Sequence, residues 1–290
     1  MINPFSKGDY TQEVQRVINL GWVAPNWPDF TKFKDSTLQA PPYVSFPTEA
    51  YEIDSENKDL ETFWANIRAM TIHKLLTEFE IECIWEIGSG DGSAAIPLTV
   101  LGIKVICVEP ILAGAEYTAG FGIQTYCTTL EKLNLPNQSI NSVGIFDVLE
   151  HIEHPVEFLS SLNKFLDKTG KIIVSVPMYM NLFSDFDESI GHYRRYSEKL
   201  LVNQLAQAGF VILKKKYLFS YLIIPAFVLR RVPYLLGKRR NYTKLHEGMN
   251  NQLSFAKYIK GVIKLLAKFE EKIDLPLGLS LIVIAEKSEV

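Results

Sequence analysis

The chain has 290 residues, which is enough for one large α/β domain with additions or for two small domains. Its hydrophobic content of 47% and charged content of 22% are typical of a globular protein and exclude a disordered chain. The net charge of −3 conceals an asymmetry, because residues 191–269 carry a balance of +14 and the remainder a balance of −17. This segregation indicates a face that meets an anionic surface, with solvated helix faces as the ordinary alternative.

Residues 1–56 are expected to form an N-terminal arm with a short helix near 9–20, and residues 57–290 the main domain. The arm has several prolines and little periodicity, whereas residues 57–79 have apolar positions at helical spacing. No basic segment followed by an apolar run begins the chain, so we expect no signal peptide and a cytoplasmic location.

Buried strands alternate with helices along the main domain. Strands are predicted at 81–88, 104–110, 122–127, from 142, and at 171–177, 210–219 and 280–287. A helix is predicted to end at Gly170, and the next to begin after Ser197 and stop at Gly209. Apolar strands without alternation, separated by helices, indicate an α/β fold whose largely parallel sheet has helices on both faces.

An insertion at 218–278 separates the last two strands. Its apolar run 217–229 is flanked by basic residues and is shorter than the roughly 20 residues that span a bilayer. A helix near 252–273 is predicted to have an apolar face, formed by Phe255, Ile259, Val262, Leu266, Phe269 and Ile273. The insertion is suited to an anionic membrane surface. Packing over a pocket or against another subunit remains open, and nucleic acid is not expected because no reading motif accompanies the charge.

The turn after the first strand, WEIGSGDGSA (85–94), has features of a cofactor site. Its glycines let a ligand approach the backbone; they are Gly88, Gly90 and Gly92. The spacing is GxGxG, not the GxGxxG of dinucleotide sites, and Glu86 would repel a pyrophosphate but can pair with an ammonium group. Glu109, at the end of the second strand, is placed to accept hydrogen bonds from ribose hydroxyls.

This combination, with FDVLEHIEHP (146–155) after the fourth strand, resembles the class I S-adenosylmethionine-dependent methyltransferases over about 57–217 and 280–287. The resemblance implies a Rossmann-like, mostly parallel seven-stranded sheet with an antiparallel last strand, and S-adenosylmethionine as cofactor. It implies that Glu86 holds the methionine amino group, that the glycines and Ser89 make room for the cofactor, and that Glu109 binds the ribose diol.

The resemblance also assigns residues later in the chain. Thr129 stands where the family often has an acid near the adenine amino group, so this contact would lack the acid's negative charge. The Leu130 N–H would face the adenine. Asp147 would lie between the methionine end and the substrate. Glu150 and His151 are expected to be a local pair that starts the next helix. No metal site is expected, and the three cysteines lack CxxC spacing, which favours reduced buried thiols.

The segment GHYRRYS (191–197) follows the fifth strand, where open α/β sheets form their sites. His192 is the candidate general base. The candidate substrate-binding residues are Tyr179, Tyr193, Arg194 and Arg195. The alternative is a structural turn before the helix cap Ser197. The segment also resembles a bacterial group of the family that has an FW..R helix before the first strand, which would cap the cofactor pocket.

The sequence therefore predicts an S-adenosylmethionine-dependent methyltransferase that methylates oxygen on a small or lipid-linked acceptor, such as a glycan, lipid or secondary metabolite. Two alternatives are kept: a non-catalytic cofactor-binding protein recruited to membranes, and a nicotinamide-dependent oxidoreductase. The inner membrane face is the candidate peripheral location. The sequence predicts neither the acceptor nor the oligomeric state.

Overall fold

A computed structural model describes residues 12–23, 58–239, 262–263, 265–270 and 272–288, with side chains in the second range from Trp64 onward. The rest of the predicted arm, the Phe63 side chain, and Phe255 and Ile259 of the insertion lie outside the described residues.

Seven strands form one sheet in the order β3-β2-β1-β4-β5-β7-β6. The strands are β1 Cys83–Ile87, β2 Lys104–Val108, β3 Gln124–Tyr126, β4 Ile140–Phe146, β5 Leu166–Pro177, β6 Phe210–Leu218 and β7 Ser280–Lys287. Neighbouring strands from β3 to β5 are parallel, and β7 pairs antiparallel with both β5 and β6. The predicted mostly parallel sheet with an antiparallel last strand is confirmed.

Helices follow most strands. They are α1 Gln12–Asn19, α2 Lys58–Glu78, α3 Ala95–Val100, α4 Leu112–Gly120, α5 Pro155–Phe165, α6 Asp185–Ser189, α7 Glu198–Gln207, α8 Ile223–Ala226 and α9 Val232–Leu235. The predicted start of α7 is confirmed, because the Ser197 side chain accepts a hydrogen bond from the Leu200 N–H at 3.2 Å. Its predicted stop is also confirmed, because Gly209 follows the helix with a φ of +82°.

Apart from the edge strand β6, the sheet is buried on both faces, so its strand residues alternate between two apolar cores. In β2, Val105 and Cys107 pack into one core, and Ile106 and Val108 into the other. Residues of α1, α5 and α7 cover one face of the sheet, and residues of α2, α3 and the helical segment 262–270 cover the other. The prediction of helices on both faces is confirmed.

The described part of the N-terminal arm packs into the core. Val14 and Val17 of α1 are fully buried. The Trp22 ring lies edge-on to Trp85 and Tyr126, with centroid distances of 6.0 and 5.7 Å. The division of the chain into an arm and a main domain stays a prediction.

The predicted end of the helix before β5 is wrong. Helix α5 ends at Phe165, and Gly170 lies within β5. The helix stops early because distant groups satisfy its last carbonyls: the N–H groups of Gln138 and Ser139 donate to Lys164 and Phe165 at 2.9 and 2.8 Å. Lys287 donates to the next free carbonyls in the same way; its partners are the oxygens of Asn163 and Leu166, at 2.7 and 2.8 Å.

The predicted apolar face of the insertion helix is exposed to solvent where it is described. Val262, Leu266, Phe269 and Ile273 are exposed, and Ile263, Ala267 and Glu270 are buried. The helix turns Glu270 inward because its carboxylate accepts hydrogen bonds from the N–H groups of Phe219 and Ser220 at 2.8 and 2.6 Å. Within the described residues, no helix has the length and apolar character needed to cross a bilayer.

Candidate functional site

The glycine loop after β1 requires its glycines. Gly88, Gly90 and Gly92 have φ values of +73°, +57° and +74°, in the left-handed region that side chains disfavour. A Cβ atom on Gly92 would lie 2.9 Å from the Ile96 Cδ1 atom. The loop therefore keeps its backbone bare, which is what close approach of a ligand needs.

Glu86 is a buried carboxylate beside this loop. Its side chain belongs to β1, the residue is 2% exposed, and the Oε2 atom has no hydrogen-bond partner among the described residues. Burial raises the pKa of Glu86 to about 8, Arg68 opposes the rise, and Asp91 and Glu109 add to it. A cationic ligand at Oε2 would stabilise the charged form.

Glu109, just after β2, is bonded to the glycine loop. Its two carboxylate oxygens accept hydrogen bonds from the N–H groups of Gly90 and Ile111, at 2.7 and 2.8 Å. These bonds fix the carboxylate beside the loop, on the side where the resemblance puts the ribose.

The other residues assigned to the cofactor lie at the same edge of the sheet. Ser89 is buried, and its hydroxyl lies beside the Cys107 thiol. Thr129 is half-buried after β3, and its carbonyl accepts a hydrogen bond from the Lys132 N–H at 3.1 Å. Leu130 is buried and directly precedes a short helical turn at Glu131–Leu133.

Asp147 links the sheet to α2. It follows β4 with a φ of +54°, and its Oδ1 atom accepts a hydrogen bond from the Ser175 hydroxyl at 2.9 Å. Its Oδ2 atom pairs with the Arg68 guanidinium, which also donates to the Ser93 hydroxyl at 3.1 Å. Arg68 thus fastens α2 over the glycine loop and Asp147, in agreement with a capping role for the helix of the FW..R motif.

The loop carrying His192 is organised by Asp187, which sequence reasoning did not single out. The Asp187 Oδ1 atom is 2.8 Å from His192 Nδ1 and 2.7 Å from Arg195 Nε. Its Oδ2 atom accepts hydrogen bonds from the Ser184 N–H and hydroxyl, at 3.0 and 3.2 Å. A serine followed three residues later by an acid is a helix-start signal, and it could have identified Asp187.

These contacts determine the protonation states of Asp187 and His192. Burial alone would raise the pKa of Asp187, but hydrogen bonds and charges from His192 and Arg195 outweigh it and lower that pKa to about 2. Burial lowers the pKa of His192, and Asp187 partly offsets the effect. The carboxylate is therefore ionised, and the imidazole with its Nδ1 on Asp187 keeps Nε2 as the nitrogen that can accept a proton.

The candidate substrate-binding residues take different environments. Arg195 is buried, and besides Asp187 it donates to the Met178 carbonyl at 3.4 Å. Arg194 donates to the Glu153 carbonyl at 3.0 Å and lies 5.5 Å from the centroid of the Tyr193 ring. Tyr193 is exposed, and the Tyr179 hydroxyl accepts a hydrogen bond from the Gly278 N–H at 3.3 Å. Their roles in substrate binding stay predictions.

Glu150 and His151 begin a buried cluster with His192. The Glu150 Oε1 and His192 Nε2 atoms are 3.8 Å apart, and the rings of His151 and His192 have centroids 4.6 Å apart. Burial raises the pKa of Glu150 to about 8, and the rise is opposed first by its own backbone N–H and then by Arg195 and Arg68. Burial and then His192 lower the pKa of His151 to about 3. Glu150 and His151, expected to be a local pair, thus belong to a cluster that also contains His192.

The cysteines are free thiols, as predicted. Cys107 and Cys127 are buried, and Cys83 is half-buried. Burial raises the pKa of the Cys83 and Cys127 thiols to about 12, and it also raises the pKa of Cys107. Such thiols are poor nucleophiles at neutral pH.

The strand order, the antiparallel β7 and the acid–glycine loop after β1 together define the class as a Rossmann-like methyltransferase fold. Residues 58–215, more than half of the chain, match the model of a family described as a methyltransferase domain. The chain belongs to this methyltransferase domain family, which confirms the family that the sequence resemblance predicted.

Comparisons with individual proteins agree with this assignment. Two curated proteins, described as probable S-adenosylmethionine-dependent methyltransferases from two strains of Mycobacterium tuberculosis, are each 26% identical over 157 residues. The match covers 53% of this chain and 57% of each relative, little more than half their length.

A solved structure with the same fold supports the fold assignment. It is described as a SAM-dependent methyltransferase, possible histamine N-methyltransferase, from Thermotoga maritima. It aligns over 81% of this chain and 94% of its own, with a TM-score of 0.52 and 18% identity. At that identity the likeness concerns the fold alone.

Proposed function

We propose that the chain binds S-adenosylmethionine and transfers its methyl group. The observation that carries the proposal is Glu86, whose buried Oε2 atom lies beside the bare glycine loop without a hydrogen-bond partner among the described residues. An ammonium group such as that of the methionine end satisfies this oxygen. The description of the curated relatives as S-adenosylmethionine-dependent supports the same cofactor.

The acceptor atom in this proposal is an oxygen. Methyl transfer from a sulfonium is an in-line displacement whose reactive carbon the cofactor supplies, so the protein mainly aligns the acceptor and excludes water. A hydroxyl acceptor also loses a proton, and an imidazole held at Nδ1 by a carboxylate is suited to take it. His192 and Asp187 form such a pair, after the carboxyl end of β5. A small or lipid-linked hydroxyl compound is therefore the proposed acceptor class.

The direct test measures transfer of labelled methyl groups from S-adenosylmethionine into the small-molecule and lipid fractions of a cell extract. We expect transfer by the wild-type protein and a loss of about 100-fold or more in His192→Ala, because general base catalysis contributes that much. His154→Ala, an exposed histidine outside the cluster, is the control and should retain full activity.

Two outcomes would count against this function. Unchanged transfer in His192→Ala, with the control unchanged as well, would exclude an essential base. Binding of S-adenosylmethionine without transfer into any fraction would favour the non-catalytic cofactor-binding protein.

We also propose that the insertion at 218–278 contacts an anionic membrane surface, which would give the enzyme access to lipid-linked acceptors. Large apolar side chains are exposed in its described part: Ile224, Phe227, Val228, Leu229, Leu235, Leu236, Val262, Leu265, Leu266 and Phe269. The exposed Lys238 lies shortly after α9 and can meet lipid phosphates, whereas Arg239 pairs with the Glu188 carboxylate. The lysines of β6 pair with surface carboxylates, so the apolar side chains carry most of this proposal.

Vesicle flotation tests the membrane proposal. The full chain should float with vesicles that contain anionic lipid, and the double variant Leu235→Ser with Leu236→Ser should float several-fold less, because interfacial binding scales with buried apolar area. Val100→Ser changes an exposed apolar residue outside the insertion and is the matched control. Equal flotation of the double variant and the wild type would reject the proposal.

A further inference from the structure

We propose that Glu150, His151 and His192 form a binding site for one divalent transition-metal ion, such as zinc, iron or manganese. Each residue offers one ligand atom, and these atoms lie within 4.8 Å of one another. The proposal does not depend on the methyl-transfer function, and it differs from the expectation that the sequence has no metal site.

The spacing and the ligand types suit such an ion. Histidine nitrogens and carboxylate oxygens bind zinc at about 2.0–2.2 Å, so two ligand atoms of one ion lie up to about 4.2 Å apart. The 3.8 Å between Glu150 Oε1 and His192 Nε2 is within that range. All three ligand atoms lie within 4.8 Å of one another, so a bound ion would have to draw the more distant ones closer. Two histidines and one carboxylate are a ligand set of zinc and non-haem iron sites.

Glu150 is the strongest indication of a cation site. It is 1% exposed, and among the other described residues neither carboxylate oxygen has a partner within hydrogen-bond distance, since His192 Nε2 is 3.8 Å away. The nearby guanidinium groups are already paired, Arg195 with Asp187 and Arg68 with Asp147. A buried carboxylate without a cationic or hydrogen-bonding partner destabilises the folded state, and a bound metal ion would remove that destabilisation.

His192 is oriented as metal-bound histidines are. Its Nδ1 atom is 2.8 Å from the Asp187 carboxylate, and its Nε2 atom faces Glu150. A carboxylate on the outer nitrogen fixes the ring and makes it a better ligand. Asp187 is itself held by Ser184 and Arg195, so the groups that orient His192 are in place before any ion binds.

The two elements that supply the ligands leave the same edge of the sheet. Glu150 and His151 lie in a helical turn after β4, and His192 lies in the loop after β5. An ion on His192 Nε2 would occupy the nitrogen that the function proposed above uses as a base. Metal binding must therefore be tested by measuring bound metal directly, because a change in methyl transfer would not distinguish the two roles of His192.

The experiment titrates untagged, chelator-treated full-length protein with Co²⁺, a coloured probe of zinc-type sites, and measures metal content after gel filtration. We expect about one retained ion per chain and a visible d–d band without a thiolate charge-transfer band. Less than about a tenth of an equivalent retained by the folded wild-type protein would overturn the proposal. A thiolate band would do the same, because it would place the ion on a cysteine.

Variants locate the site. Glu150→Gln and His151→Gln keep the side-chain size and should each weaken Co²⁺ binding at least about tenfold, since even outer-shell changes cost 10–100-fold. His154→Gln, three residues beyond His151 in sequence and exposed, is the matched control and should bind as the wild type does. Wild-type affinity in both cluster variants would overturn the proposal. If a variant fails to fold, the number of Co²⁺ ions retained by the wild-type protein and its absorption spectrum still test the proposal.

Discussion

Glu86 is a carboxylate that the fold buries without a full set of partners among the described residues. A buried polar group of this kind destabilises the fold unless something else satisfies it. The glycine loop beside it leaves backbone room for a ligand. Both features are explained if the ammonium end of a cofactor binds there, as the motif WEIGSGDGSA predicts.

Replacing Glu86 with glutamine should weaken binding of S-adenosylmethionine about 10- to 150-fold, because a charge-assisted hydrogen bond contributes about 1.5–3 kcal/mol. The glutamine keeps the shape but loses the charge that pairs with the ammonium group. Calorimetric titration measures the change. Wild-type affinity in Glu86→Gln would show that this carboxylate does not hold the cofactor.

The same residue makes a pH prediction for the protein without added cofactor. Burial raises the pKa of Glu86 from 4.5 to about 8, so the folded state retains a proton that the unfolded state releases in that window. Stability should therefore fall as the pH rises from about 4.5 to 8, with Glu150 contributing in the same direction. Thermal unfolding at several pH values should give a flatter profile for Glu86→Gln, and an unchanged profile would contradict the assignment.

Asp187 stabilises the loop of His192 and Arg195. It is fully buried, and its charge is shared between these two partners. Asp187→Asn leaves Arg195 as an uncompensated buried charge, which should lower the free energy of unfolding by about 3–5 kcal/mol in urea denaturation. Glu198→Gln, which breaks a surface ion pair with Lys215, should cost at most about 1 kcal/mol. A loss below about 1 kcal/mol in Asp187→Asn would show that the loop does not depend on this carboxylate.

At the scale of elements, the sequence predicted those strands and helices whose formation depends on residues near them in the chain. Apolar runs and glycine turns located all seven strands, and the signal was clearest for β1 to β5, because buried parallel strands have a distinctive composition. The end of α5 was missed because Lys287, far along the chain, satisfies its carbonyls. Which face of the insertion helix is buried could not be predicted, because Glu270 bonds to backbone N–H groups far away in sequence. Such long-range hydrogen bonds leave no periodic signal.

The glycine loop gives a prediction at this scale. Gly92 and Gly102 both have positive φ, but a Cβ at Gly92 would collide with Ile96, whereas nothing lies within 4 Å of one at Gly102. Gly92→Ala should therefore lower the free energy of unfolding by about 1 kcal/mol more than Gly102→Ala, because the half-buried Ile96 side chain must shift. Only Gly92→Ala should also weaken cofactor binding. Equal losses in the two variants would show that crowding at the loop is unimportant.

At the scale of the whole molecule, the described basic residues of the segment 191–269 lie in two environments, one buried in the fold and one exposed on the surface. Part of the basic region is structural, since Arg195 is buried on Asp187 and Arg231 donates to the Phe183 carbonyl at 2.6 Å. Another part lies on the exposed insertion with Lys238 and Arg239. Composition revealed the excess of charge but could not divide it, because burial depends on the tertiary fold. The same limit applied to His192, whose pairing with Asp187 depends on the turn made by α6.

The central claim is that this fold binds S-adenosylmethionine at the Glu86 and glycine-loop site. Calorimetric titration of the purified full chain with S-adenosylmethionine, S-adenosylhomocysteine and NAD tests it most directly. We expect saturable binding of the two sulfur-containing nucleosides, lost or greatly weakened in Glu86→Gln, and no binding of NAD. Binding of NAD with no response to either of the other two would contradict it and would favour an oxidoreductase.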